Sequence, residues 1–221
     1  MRSASFLIAC SLAVVAAGCA SDPKQPLECG FSSELLPYHV GYNWTYRVTD
    51  LTNSQRKVKQ QYLDRTLNHA DYGEVIVQVT EKAKGSTESF LRREGDQVRR
   101  YEQRDYDAAG TLVRTTIYDP YRLRVDEGLS LNEQYVDSYT KRVIAPGQPE
   151  TVVDITDVWE LTGQDVPCET ETTALTCAEF HRERTAGGVA VKDFLFALGV
   201  GKVIENGTNQ VEELESCGNG H

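Results

Sequence analysis

The stretch Gly73-Glu74-Val75-Ile76-Val77-Gln78-Val79-Thr80-Glu81-Lys82 decides how the rest of the chain is read. Val75, Val77 and Val79 recur at every second residue, and an extended strand is the conformation that puts alternate side chains on one side. β-branched residues also suit a pleated surface better than a helix. The same period returns in both directions along the chain. Trp44, Tyr46 and Val48 share one side of a strand, and similar runs occupy residues 58–63, 89–93, 98–106, 112–118, 135–144, 151–161, 178–184, 189–197 and 211–214. Turn signals separate many of them, at His69-Ala70-Asp71, Glu94-Gly95-Asp96, Ala108-Ala109-Gly110, Pro146-Gly147-Gln148, Gly187-Gly188 and Asn206-Gly207. Helix signals are confined to Ser32 to Leu36, ahead of Pro37, and to the ambiguous segment 54–64. The expected fold is all-β with little helix, a large curved antiparallel meander sheet forming a half-barrel or barrel. A sheet of about ten strands must curl to cover its apolar face.

The first residues follow a different rule. Arg2 precedes a nearly continuous apolar run from Phe6 to Ala17, which ends in Ala16-Ala17-Gly18-Cys19. That run is shorter than the roughly 20 residues needed to span a bilayer. The ending resembles the lipobox of bacterial lipoprotein precursors. Leu7-Ile8-Ala9-Cys10 mimics the same pattern, but cleavage there would leave too short an apolar segment for export. The resemblance implies removal of residues 1–18 as a signal peptide, lipidation of Cys19 and anchoring in the bacterial cell envelope. Ala20 after the lipidated cysteine, under the enterobacterial sorting rule, favours the outer membrane with the domain facing the periplasm. Two acyl chains, as such a modification carries, are what stable anchoring requires. Residues 19–28 then form the lipidated N-terminus and a polar tether, 29–217 a single β-rich domain, and 218–221 a short tail.

Charge and cysteine content narrow the function. The chain carries a net charge of −10, and loss of Arg2 with the leader makes it −11. Such acidity disfavours nucleic acid and anionic membrane surfaces, so the lipid alone is expected to contact the membrane. With Cys19 committed to lipid, Cys29, Cys168, Cys177 and Cys217 remain as an even set in an exported chain, which reads as two disulfides. Three pairings are possible. Spacing favours Cys168 with Cys177, closing a local loop, and Cys29 with Cys217, tying the two ends of the domain. No C-x-x-C pair occurs and His39, His69, His181 and His221 are scattered, so no metal site and no cofactor are expected.

Two further motifs carry a weaker resemblance. Pro37-Tyr38-His39-Val40-Gly41-Tyr42-Asn43-Trp44-Thr45-Tyr46 resembles the opening of a loosely defined group of exported β-rich bacterial proteins. Lys192-Asp193-Phe194-Leu195-Phe196-Ala197-Leu198-Gly199-Val200-Gly201-Lys202-Val203-Ile204 is similar to their late strand, Gly-Val-Gly turn and strand, and Glu212-Glu213-Leu214 resembles their closing strand. The group implies no activity. Gly199-Val200-Gly201-Lys202 lacks the spacing of a phosphate loop and reads as a turn. No nucleophile elbow or H-E-x-x-H motif is present, and the pairs Asp154/Asp157 and Glu169/Glu171 are what an acidic chain produces by chance; no catalysis is expected, with a hydrolase the weakest of three readings.

The charged run Arg92, Arg93, Arg99, Arg100 and Arg104, interleaved with Glu94, Asp96, Glu102 and Asp105, reads as a solvated outer face. The aromatic residues offer the remaining functional expectation. Trp44, Tyr46, Tyr135 and Trp159 are candidates for an apolar inner face that accepts a hydrophobic ligand. A partner protein in the envelope is the other possible occupant, and a structural lipoprotein with a filled core is the alternative.

Overall fold

The computed structural model describes Cys29 and residues 32–219; the apolar leader with Cys10 and Cys19, and most of the tether, lie outside the described residues. Twelve strands run in chain order: β1 (Tyr42–Asp50), β2 (Arg56–His69), β3 (Gly73–Lys82), β4 (Gly85–Glu94), β5 (Gln97–Tyr106), β6 (Leu112–Asp126), β7 (Gln134–Ile144), β8 (Thr151–Glu169), β9 (Ala174–Thr185), β10 (Val189–Ala197), β11 (Gly201–Gly207) and β12 (Gln210–Asn219). Each pairs antiparallel with the next, and β12 returns to β1, so the meander closes into a barrel. Closure pairs every strand with a neighbour on each side, which removes free sheet edges except where the β6–β7 ladder is incomplete. The ambiguous segment 54–64 is mostly β2, and residues 33–36 form bends rather than a helix.

The barrel has two unlike ends. At one end the chain from Ser32 to Tyr38 lies across the opening. Gly199 N donates to Glu34 O at 2.8 Å, Leu36 N to a Glu127 carboxylate oxygen at 3.0 Å, Arg93 Nη2 to Leu36 O at 2.9 Å and the Tyr38 hydroxyl to Leu91 O at 2.6 Å. Leu35, Leu36 and Tyr38 pack on the main core, which includes Trp44, Leu91, Val98, Leu123, Trp159, Phe180, Phe196 and Leu214. Burial of these side chains contributes on the order of 1.5–3 kcal/mol each. The apolar core therefore fills the end that the N-terminal segment covers. The opposite end is ringed by the hairpin turns β1–β2, β3–β4, β5–β6, β7–β8, β9–β10 and β11–β12, and its interior is mostly polar, apart from a small buried cluster of Tyr118, Tyr139 and Ile155.

Inward and outward faces alternate as strands require, but apolar does not always mean inward. Gln61, Thr80, Thr87 and Asp105 are successive register partners on the inner face of β2 to β5. Val75, Val77, Val79 and Phe90 lie on the opposite, outer face, where they form a separate buried cluster with Tyr62 and Tyr72. The Arg104 guanidinium sits over the Phe90 ring at 4.6 Å and helps to cover it.

Between β6 and β7 the ladder covers only Thr115 to Asp119 against Thr140 to Ile144. Pro120 follows and has no N–H to donate. Side chains bridge the gap beyond it: Asp137 accepts from Leu123 N at 2.7 Å, and the Tyr121 and Tyr135 hydroxyls meet at 2.9 Å.

Two disulfides are present among the described residues. Cys29 is bonded to Cys217 with their Cα atoms 5.1 Å apart, and Cys168 to Cys177 at 5.9 Å, both within the usual range. The first ties the N-terminal segment to β12 at the covered end. The second crosses the extended β8–β9 hairpin, whose tip reaches the other side of the β10–β12 sheet: Glu171 pairs with Arg47 of β1 and the Thr172 hydroxyl donates to Glu215 O at 3.4 Å.

Candidate functional site

The polar half of the interior is a cup of about 270 Å3, open among the β-hairpin turns. Eight lysines and arginines and two glutamates line it, in a chain whose overall charge is −10. Local irregularities of the strands aim several of these cations inward. In β5, Leu91 opposes Arg100 and Phe90 opposes Glu102, which leaves Tyr101 without a partner. An extra residue inverts the side-chain alternation. Arg100, Gln103 and Asp105 consequently face inward, while Arg99 and Arg104 stay outside with Glu94 and Glu102. The expectation of a wholly solvated outer face is corrected here for Arg100 and Asp105, for Arg93, which closes the covered end on Leu36 O and Glu127, and for Glu102, which lies on the outer face but is buried.

Arg122 of β6 is the direct register partner of Arg100. Arg124 is the unmatched residue between the pairs Arg99–Leu123 and Val98–Val125, and it also lines the cup. Arg182 of β9 lies beside Trp159 and Lys192 in the register and places its guanidinium 5.3 Å from the Trp159 ring and 5.2 Å from that of Phe194. These four arginines form the floor of the cup, against the aromatic core.

On the side of β10–β12 and β2 every lysine of the wall has a carboxylate partner, three lysines sharing two glutamates. Lys202 pairs with Glu205 and with Glu212, the latter at 2.6 Å, Lys192 pairs with Glu205, and Lys59 pairs with Glu212. Burial opposes the charge on Lys202, but Glu205 and Glu212 outweigh it and hold the ammonium above its ordinary range. Burial together with the nearby Lys202 brings Lys59 down to about 8.

The floor has weaker compensation: Glu205 favours the charges of Arg124 and Arg182, Asp157 that of Arg182, and the Tyr118 phenol is hydrogen-bonded with Arg100, but none of the four arginines has a close carboxylate of its own. The Nε atoms of Arg100, Arg122, Arg124 and Arg182 are buried without a hydrogen-bond partner. Arg100 donates to Gln103 at 3.0 Å, and Arg122 has Asp157 at 3.8 Å, but that carboxylate already takes two 2.6 Å bonds from Arg184. Burial lowers Arg124 well below its usual value, and Arg100 and Arg122 lower it further. Burial, then Arg122 and Arg184, bring Arg182 down to about 9. Even the Tyr118 phenol is affected: burial works to raise it, yet Arg100 and Arg122 pull it below its ordinary value. Asp137, beside Asp157, is raised to about 6, first by burial and then by its acidic neighbour.

The residues singled out from the sequence fall elsewhere. Trp44, Tyr46 and Trp159 are fully buried, and the void that they line with Phe194 and Phe196 is about 20 Å3, room for one water and not for an acyl chain. They are filled core. Tyr135 is half-buried at the β6–β7 gap. Asp154 and Asp157 do not converge, since Asp157 is buried inside on Arg184 whereas Asp154 is exposed and accepts from Thr140. Gly199 and Val200 form the turn into β11, and Trp44 Nε1 donates to Val200 O at 2.6 Å. Arg122, Arg124, Arg182, Lys202, Glu205 and Glu212 were not foreseen. The one signal for them was Arg122-Leu123-Arg124-Val125, a strand alternating charge with apolar residues.

No protein-family model matches the chain, and no curated protein matches it. Solved structures do. The barrel superposes on a crystal structure from Bacteroides fragilis NCTC 9343, described as an exported protein with a YmcC-like fold, with a TM-score of 0.55. The fold is YmcC-like. At 12% identity the match covers 86% of this chain and 99% of that one, which establishes common architecture and nothing about activity. A lipoprotein from Parabacteroides distasonis ATCC 8503 is similar more loosely, with a TM-score of 0.47 and 10% identity over 85% of this chain and 100% of that one.

Proposed function

We propose that this chain is a non-catalytic envelope lipoprotein, held by lipid on Cys19, whose YmcC-like barrel binds a small polar ligand in the open half of its interior. The observation that carries this reading is the division of the barrel into a filled apolar half and a polar cup of about 270 Å3. A structural lipoprotein has no use for a cup lined with incompletely compensated charge, because buried unpaired charges cost stability. An acyl ligand, the other occupant that the aromatic content suggests, would need an apolar void, and the cup is lined by polar side chains. The similar B. fragilis protein is described as exported, and that supports an envelope location for a chain with this leader. The Cys29–Cys217 bond places the N-terminal connection at the covered end of the barrel. In this reading the end nearer the lipid is the covered one, and the cup opens away from it.

Native mass spectrometry of the protein extracted from its own envelope tests the reading. Retention of a small polar molecule, lost when the interior is blocked by Ser89→Trp, is the expected result. A mass with no bound ligand in both the parent protein and the Ser89→Trp variant would favour the structural alternative.

A further inference from the structure

We propose that the cup is a phosphoryl-binding site, with Arg100, Arg122, Arg124 and Arg182 as the groups that hold the anion. This deepens the reading above and rests on the cup being a binding site. Four guanidiniums converge on one floor from β5, β6 and β9, with Arg100 and Arg122 directly opposed in the register. Like charges so placed repel, and the acids nearby offset them only in part, since eight lysines and arginines line the cup against two glutamates. Glu205 and Glu212 are taken up by Lys59, Lys192 and Lys202, and Asp157 by Arg184. Gln103 gives Arg100 one neutral acceptor, leaving the floor with unspent donors.

The missing component is an anion of matching charge and geometry. A guanidinium presents paired N–H donors that fit two oxygens at once. Several guanidiniums around one small space call for a group with multiple oxygens and more than one negative charge. A phosphoryl group meets that condition and a single carboxylate does not. Polar residues above the floor, among them Thr80, Thr87, Ser89 and Gln103, offer hydroxyl and amide groups to whatever carries the phosphoryl group. Its source is either a soluble phosphate compound or a lipid headgroup with short enough attachments to enter.

Thermal unfolding of the full chain in detergent separates these outcomes. The probes are 10 mM inorganic pyrophosphate, 10 mM dihexanoyl phosphatidic acid and 10 mM of a neutral disaccharide, each against chloride at matched ionic strength. Either phosphoryl compound should raise Tm by about 3 °C or more. A rise with pyrophosphate points to a soluble ligand, and a rise with phosphatidic acid alone to a headgroup. Arg124→Gln and Arg182→Gln should each abolish most of the rise while leaving the ligand-free Tm equal or higher, since each removes one repelling charge. Arg124→Lys, which keeps the charge but not the fork, should retain part of it. No rise with either phosphoryl probe, or a rise that persists in both glutamine variants, overturns the assignment. A rise with the disaccharide alone also overturns it while leaving the cup a binding site; loss of the ligand reading itself is decided by the native mass measurement.

Discussion

The indole N–H of Trp44 donates to the carbonyl of Val200 across 2.6 Å, joining the first strand to the turn that leads into β11. The bond satisfies a buried donor and acceptor at once, and it requires the turn to approach the indole closely. Gly201 permits this: its φ is +99°, and a Cβ there would lie 3.0 Å from Trp44 Nε1. Gly201→Ala should therefore lower stability by about 2 kcal/mol, through both backbone conformation and displacement of the indole. In a chain of this size that is a fall in Tm of roughly 4–8 °C. An unchanged Tm would mean that the turn and Trp44 do not constrain each other.

The disulfides should contribute unequally. Cys29–Cys217 closes 188 residues of chain and Cys168–Cys177 closes 9. On the loop-entropy model, reduction of the first costs about 5 kcal/mol and of the second about 3 kcal/mol. Nonreducing peptide mapping should recover these two linkages, and paired Cys→Ser variants should rank in that order by Tm. Free thiols at all four positions, or a crossed linkage, would contradict the assignment.

Asp137 makes stability depend on pH in the direction opposite to that of an ion-paired acid. Burial and the Asp157 charge raise its carboxyl to about 6 in the folded chain. The unfolded chain ionises at lower pH, so between about pH 4 and pH 6 the folded state binds more protons and its stability falls as pH rises. The full penalty, on the order of 2–3 kcal/mol, is present above pH 6. Asp137→Asn keeps an acceptor for Leu123 N and removes the ionisation. Its advantage over the parent protein, in Tm measured from pH 4 to pH 7.5, should grow through that window; a constant difference would show that Asp137 ionises freely.

Anchoring makes a separate prediction. Cys19→Ala should abolish lipid addition and move the protein from the membrane to a soluble or unprocessed fraction, read by fractionation and intact mass. An acylated, fully membrane-bound variant would rule out Cys19 as the lipidated residue.

How far the sequence could be read depends on what each signal measures. Period-two alternation reports backbone conformation, so nearly every strand from Trp44 to Leu214 was legible, as were turns such as Gly187-Gly188. Alternation alone does not say which face points inward. Val75, Val77 and Val79, the clearest apolar stripe, lie outside under Tyr62, Tyr72 and Arg104, while the inner residues of the same strand include Gln78 at the core void and Thr80 in the cup. The cup was illegible for a second reason. Arg100 and Arg124 depend on single unmatched residues in β5 and β6, and such a bulge leaves no mark in the residue types around it. Trp44, Tyr46 and Trp159 are inner residues, as their alternation implied, whereas Tyr101 stacks on Tyr72 outside the barrel; whether the inner face is open or filled depends on chain closure between β12 and β1 and on the segment from Ser32 to Tyr38. Those are long-range facts that no local pattern contains.

The central claim is that one half of the barrel is filled and the other is an anion-accepting cup. Crystals of the protein soaked in sodium selenate test it most directly, because the selenium of this tetrahedral oxyanion gives an anomalous signal that locates it. The account predicts an anomalous peak on the cup floor within hydrogen-bond distance of Arg124 and Arg182, and no density in the void between Trp44 and Trp159 beyond a single water. A cup floor without selenate, with those arginines drawn instead onto protein carboxylates, would contradict it.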